Sequence, residues 1–262
     1  MTISTYAKSN RTLASISIMK KVFVLGFALV TSGLFAQTKI NKSISINANQ
    51  KIVMNFDYPE LIKVSTWDKN EVSIKGEVSI NHGENDDAFE ILMESIGNVL
   101  TVKNKIKDFD DLPRSITIVD GAKKVSFKSK EEYKRYRAEN GRTFDRISEG
   151  LDIDVILEIQ VPRNMETSIT SVYGMVEIKE FYGPLKVVAK YGGVDVSLNE
   201  KEVGELYAKT NYGEIFSNLD GRIVTENSGQ KDFYNVVFVK PGVGPRYDLE
   251  SKYGNVYMRK TN

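Results

Sequence analysis

The chain contains no cysteine, one histidine and one tryptophan in 262 residues. Without cysteine there is no disulfide, no thiolate metal site, no cysteine nucleophile and no lipid-modified cysteine to anchor an exported protein. His82 is the sole imidazole, so any histidine-based catalytic pair must use it. It stands in the polar run Asn81-His82-Gly83-Glu84-Asn85-Asp86-Asp87, which reads as a solvated turn rather than the seat of a general base. That run also lacks the spaced oxygens and terminal bidentate glutamate of a calcium loop, so no metal is expected and no cofactor is implied.

Long apolar runs are equally scarce. The one clear run, Val22 to Val30, follows Lys20 and Lys21 and leads into Thr31, Ser32, Gly33, Leu34, Phe35, Ala36 and Gln37. It has roughly half of the ~20 residues a membrane-spanning helix needs. A basic start, a short apolar middle and small residues are the pattern of a signal peptide over 1–36, cut after Ala36, with Met19 as an alternative start. Export to the periplasm, the outer-membrane periphery or the cell surface is expected, with no integral span in the mature chain. An excess of charge is missing too: four of the 36 basic residues fall within 1–36 and all 35 acidic ones come later, leaving the mature chain at net −3. Such a balance gives no electrostatic footprint for nucleic acid.

What is present is alternation. From Thr38 to Val102 short runs place Val, Ile and Leu at every second position (Ile44, Ile46; Val72, Ile74; Val78, Ile80), broken by Asn, Asp, Gly and Pro. This is the signature of short strands joined by turns. Residues 37–103 thus form a β-rich part. Residues 104–150 read as a charged insertion, poor in strand periodicity, with a helix expected from Ser129 to Ala138 and stopped by Asn140 and Gly141. Strand character returns at Ile153, Val155, Leu157, Ile159 and Val161.

Residues 151–262 carry an internal repeat: Ser171-Val-Tyr173-Gly174-Met-Val-Glu-Ile178, Ala189-Lys-Tyr191-Gly192-Gly-Val-Asp-Val196, Thr210-Asn-Tyr212-Gly213-Glu-Ile-Phe-Ser217 and Ser251-Lys-Tyr253-Gly254-Asn-Val-Tyr-Met258, with a degenerate copy at Glu226-Asn-Ser228-Gly229. A spacing of about 20 residues is that of one coil in a stacked solenoid. The residue two after each glycine (Val176, Val194, Ile215, Val256) is expected inward and its neighbours outward, with the glycine supplying conformational freedom at a sharp corner. The expected fold is all-β, a single-stranded right-handed β-helix or solenoid of short coils with a charged, partly helical insertion.

The repeats, with the run from Leu61 to Gly76 that contains Trp67-Asp68 and Asn70-Glu-Val72, resemble bacterial adhesin-like families of β-solenoid or "toastrack" fold found in Bacteroidetes envelopes. The resemblance runs from Thr38 to Asn262. It implies an architecture, and an envelope binding role by fold alone.

Two groups of side chains are candidate ligand contacts. Tyr173, Tyr191, Tyr212 and Tyr253 should form a ladder at one corner, either packing on the next coil or presenting ring faces to sugars, with Lys190 and Lys252 beside two of them. Glu177 and Asp195 share one outward position in adjacent coils, at about the 4.8 Å strand spacing, with Phe216 and Tyr257 next in the column. Paired carboxylates can divide acid and base roles in glycan cleavage, while Lys179 and Lys190 nearby suit an ordinary solvated cluster. Trp67 reads as packing. No catalytic residue is assigned. The functional expectation is a non-enzymatic envelope binding or scaffold protein whose partner is an envelope polysaccharide or protein. The alternatives are a signalling or envelope-stress accessory that contacts a membrane partner through the insertion, and a polysaccharide-active enzyme.

Overall fold

Alternating burial follows from the alternating sequence. In β2 (Lys51–Phe56), Ile52, Met54 and Phe56 are buried while the residues between them reach solvent, and β3 (Leu61–Trp67) alternates the same way about Ile62 and Val64. The computed structural model describes residues 38–261 apart from 121–122, 142–143, 145, 222 and 228–233. The signal-peptide segment 1–36 and its cut, and residues Ser228 and Gly229 of the degenerate repeat, lie outside the described residues.

The other strands of the first half are β1 (Thr38–Ser45), β4 (Glu71–Ile80), β5 (Phe89–Ile96) and β6 (Val99–Ile106). The insertion holds β7 (Ser115–Asp120), β8 (Lys123–Phe127), α1 (Lys130–Asn140) and β9 (Arg146–Gly150). There follow β10 (Ile153–Pro162), β11 (Thr167–Ser171), β12 (Met175–Lys179), β13 (Leu185–Ala189), β14 (Val194–Leu198), β15 (Glu205–Thr210) and β16 (Ile215–Ser217). The chain closes with β17 (Ile223–Asn227), β18 (Asn235–Val239), β19 (Arg246–Ser251) and β20 (Val256–Lys260). The fold is all-β with one α-helix among the described residues.

The strands form two large sheets, ordered β1-β4-β10-β3-β12-β14-β20-β16 and β17-β18-β15-β19-β13-β11-β2-β6-β5, whose inner faces share one core. Each repeat copy is the corner where the chain leaves one sheet for the other: Tyr173-Gly174 joins β11 to β12, Tyr191-Gly192 joins β13 to β14, Tyr212-Gly213 joins β15 to β16, and Tyr253-Gly254 joins β19 to β20. The pairs β2–β3, β11–β12, β13–β14, β19–β20 and β15–β16 stack as five parallel two-strand coils. Val176, Val194 and Val256 are fully buried in register, while Ile215, on the edge strand β16, is only half-buried.

The stack differs from a plain β-helix in two respects. First, the coils do not follow chain order: β19 pairs in parallel with both β13 and β15, so the last copy in sequence is wedged between the second and third. Second, both sheets are mixed. β4 runs antiparallel to β1 and β10, β5 to β6, and β18 to β15 and β17, so the strand of the degenerate copy is a hairpin arm rather than a further parallel coil. A repeat period specifies the shape of a coil and leaves open which coil lies beside it, because all copies bury similar side chains.

The segment expected to be poor in strands forms a three-stranded sheet, β8-β7-β9, with α1 packed on it through a small core of Ile116, Ile118 and Phe127 joined by Tyr133, Tyr136 and Phe144. The short alternation Ile116, Ile118 and Val125, Phe127 is the strand signal, diluted by surrounding charge. Ser129 caps α1, its hydroxyl accepting from the Glu132 N–H at 3.1 Å, and Gly141 ends it at φ 59°.

Candidate functional site

The four tyrosines converge as a continuous stack in the order Tyr173, Tyr191, Tyr253, Tyr212. Ring centroids are 5.4, 5.2 and 5.0 Å apart and the rings are within 12° of parallel. All four are exposed, from 43% at Tyr253 to 63% at Tyr212. The backbone beneath sets the spacing: the Tyr191 N–H donates to the Val172 carbonyl (2.8 Å), that of Tyr253 to Lys190 (3.0 Å) and that of Tyr212 to Lys252 (3.0 Å).

The glycine after each tyrosine has a different purpose from the one expected. Among the described residues the glycines with positive φ are Gly83, Gly97 and Gly141, none of them at a repeat corner. The corner glycines are instead needed for close approach. A Cβ on Gly192 would lie 2.1 Å from the Gly174 carbonyl oxygen, one on Gly254 2.3 Å from that of Gly192, and one on Gly213 2.1 Å from that of Gly254. Buried hydroxyls complete the corner. Ser251 Oγ accepts from the Gly254 N–H (2.9 Å) and donates to the Gly192 carbonyl (2.8 Å), and Thr210 Oγ1 accepts from the Gly213 N–H (3.0 Å) and donates to the Gly254 carbonyl (2.9 Å).

Stacking settles what the ladder offers. The ring faces cover one another, apart from the outer faces at the two ends, so edges and hydroxyls meet solvent. A row of flat faces for sugars is therefore not what the ladder presents. None of the four hydroxyls has a hydrogen-bond partner among the described residues. Lys190 and Lys252, adjacent across the coils, sit with Nζ 5.0 and 5.4 Å from the Tyr191 and Tyr253 ring centroids.

Sequence reasoning missed Tyr58, which occupies the corner between β2 and β3 and stacks on Phe109 at 5.4 Å. Burial raises its pKa, helped by Asp57 and by Tyr173. Pro59 in place of glycine hid it, although an aromatic residue at a turn between two alternating runs was the available signal. A second stack, Phe216 on Tyr257 at 5.1 Å, lies on the outer face of the first sheet.

Glu177 and Asp195 are direct partners across β12 and β14. Their column continues through Tyr257 before Phe216, the reverse of the expected order. Each carboxylate has its own cation: Arg259 Nε donates to both Asp195 oxygens at 2.8 and 3.0 Å, and Lys179 Nζ is 3.8 Å from Glu177. The hydrogen bond and charge of Asp195 raise the Arg259 pKa. Glu177 lines a depression of about 400 Å³ with Lys63, Lys75, Glu158 and Lys179, but Asp195 is not in its wall. The arrangement is a surface charge network rather than two carboxylates facing one cleft.

The turn around His82 is structural. Asp86, expected in an exposed acidic turn, is buried and accepts from the Ile80 N–H at 2.7 Å. Asn81, buried at φ 51°, bonds Asn85, Pro113, Ser115 and the Asp152 N–H, and so ties the insertion to the main sheets. His82 Nε2 is 3.8 Å from Asp152, whose other oxygen pairs with Lys124 at 2.8 Å. Trp67 donates its indole N–H to the Glu71 carbonyl (2.8 Å) beneath Lys69, a packing role.

No protein-family model matches the chain, and no curated protein matches it in sequence. Two solved structures are similar to it. One is a "putative cell adhesion protein" from Clostridium sporogenes, 10% identical, with a TM-score of 0.42 over 86% of this chain and all of the other. The second is a "putative adhesin" from Bacteroides fragilis, 11% identical, with a TM-score of 0.21 over 86% of this chain and 98% of that one.

Proposed function

We propose that this chain is an exported, non-enzymatic, adhesin-like binding or scaffold protein of the cell envelope. In this reading the five stacked coils are a rigid, solenoid-like spine and the tyrosine ladder is the binding edge. The observation that carries it is a row of four exposed hydroxyls, without a hydrogen-bond partner among the described residues, on rings stacked over a hydrogen-bonded backbone. Ordering such groups costs little on binding because their positions are already set. The arrangement of Glu177 and Asp195 favours this reading over a polysaccharide-active enzyme, since each has its own cation and the two do not face one cleft.

The insertion supports a second reading as a contact with a membrane partner. It has its own small core, and α1 buries none of its residues, leaving Lys134, Arg135 and Arg137 on the surface.

Immobilised residues 37–262 should retain polysaccharide from detergent-solubilised envelope, and Glu177→Gln with Asp195→Asn should leave that retention unchanged. A membrane protein retained instead, and lost when the insertion is excised, would support the second reading. Glycan cleavage abolished by the double substitution would establish the enzyme.

A further inference from the structure

We propose that the ladder binds a linear, negatively charged, β-1,4-linked polysaccharide laid along the stack, with one sugar ring per coil. The proposal rests on the reading of the ladder as the binding edge. Its basis is a match of repeats. The rings advance by 5.4, 5.2 and 5.0 Å. An extended β-1,4-linked hexopyranose chain advances by one ring over a closely similar length, with alternate rings turned over about the chain axis, so each sugar meets one phenol hydroxyl and every second sugar presents the same edge. An extended peptide does not fit. Its same-face side chains recur every two residues, about 6.6–6.8 Å, and slip by more than 1 Å at each coil.

The sign of the charge comes from Lys190 and Lys252. They lie on adjacent coils, because Ala189 is the register partner of Ser251 and the Tyr253 N–H donates to the Lys190 carbonyl. Neither has a carboxylate within ion-pair distance among the described residues, although Lys51 and Lys107 on the same chain pair at 2.6 and 2.7 Å. Two neighbouring ammonium groups repel each other, and a ligand carboxylate relieves that repulsion. Acidic side chains lie at the Tyr173 end, Asp57 and Asp110 near Tyr58, while the lysines stand beside the two middle rungs, so an acidic chain is centred on Tyr191 and Tyr253.

The test is calorimetric titration of residues 37–262 with β-1,4-linked oligomannuronates from dimer to octamer, beside neutral β-1,4-linked glucose oligomers of equal length. Affinity should rise with each unit to the tetramer and level off thereafter, with the acidic series bound more tightly at low salt. Lys190→Gln with Lys252→Gln should erase the acidic preference. Changing all four ladder tyrosines to phenylalanine keeps the rings and the stack; it should lower affinity by roughly tenfold or more at unchanged Tm. Affinity independent of length, or a phenylalanine variant that binds as well as the parent, overturns the proposal. Absence of oligosaccharide binding overturns it too, and envelope material still retained by the parent and lost by the phenylalanine variant would then show that the binding edge stands with a different ligand. If the phenylalanine variant retains that material as well, the binding edge falls with the ligand.

Discussion

At the scale of single residues, the repeat is an arrangement for bringing backbones together. Gly192 occupies a site where a methyl group meets the Gly174 carbonyl at 2.1 Å, so Gly192→Ala should destabilise the protein by about 3 kcal/mol in urea titration, near the upper end for overpacking. Gly150→Ala, with nothing within 4 Å, should be close to neutral. Ser251→Ala leaves the part-buried Gly254 N–H and Gly192 carbonyl without this partner and should cost about 1 kcal/mol. Tyr247 is the buried phenol of the same strand, and its hydroxyl donates to the Phe181 carbonyl. Burial raises its pKa well above the ordinary 10.0, with Tyr182 and Glu202 adding to the effect. The folded state therefore holds a proton that the unfolded state releases, so its contribution is complete below pH 10.0 and is lost as pH rises towards the folded value. Urea midpoints should fall above pH 10, and Tyr247→Phe should make that fall shallower; an unchanged slope would mean that other groups govern alkaline unfolding.

Among the elements, the alternating strands of the two large sheets were legible, whereas the three strands of the insertion and the reasons for the joints were not. Alternation located the inward rows of β2, β3, β12 and β14 because side-chain direction along a strand depends only on the parity of position. The helix was expected at 129–138 and is found at Lys130–Asn140, since its stop and start signals are local. The stack of Tyr58 on Phe109, the pairing of Asp195 with Arg259 and the bond from the Thr38 N–H to Asp86 join residues 51, 64 and 48 positions apart, so the contiguous sequence did not show them. The insertion should be separable: Ser115 and Gly150 are register partners across β7 and β9, so their ends already lie side by side. Replacing residues 116–149 by Asn-Gly should leave the strand signal of the two main sheets in circular dichroism, and loss of that signal would make the insertion part of the folding unit.

Over the whole molecule, the wedged C-terminal coil has the largest consequence. β19 and β20 lie between β13–β14 and β15–β16, so the last residues of the chain hold its middle and its end together. Deleting residues 245–262 should expose β15, β16 and β18 to rapid hydrogen exchange while β2, β3, β11 and β12 stay protected. Uniform protection in the truncated chain would contradict the strand order. Because β15 and β16 gain their parallel neighbours only from residues that follow them, this end of the stack completes last, after the C-terminus is available.

The sequence by itself determined the inward rows of the main strands, the corners at each Tyr-Gly pair, the helix and its caps, and the outward position of the tyrosines, because each follows from the geometry of contiguous residues. The tertiary structure decided the order of the coils, the need for glycine at their contacts, the stacking that turns ring faces inward and hydroxyls outward, and the cation beside each carboxylate. These depend on which coil lies next to which, and copies with the same local pattern compete equally for that place until long-range packing selects among them.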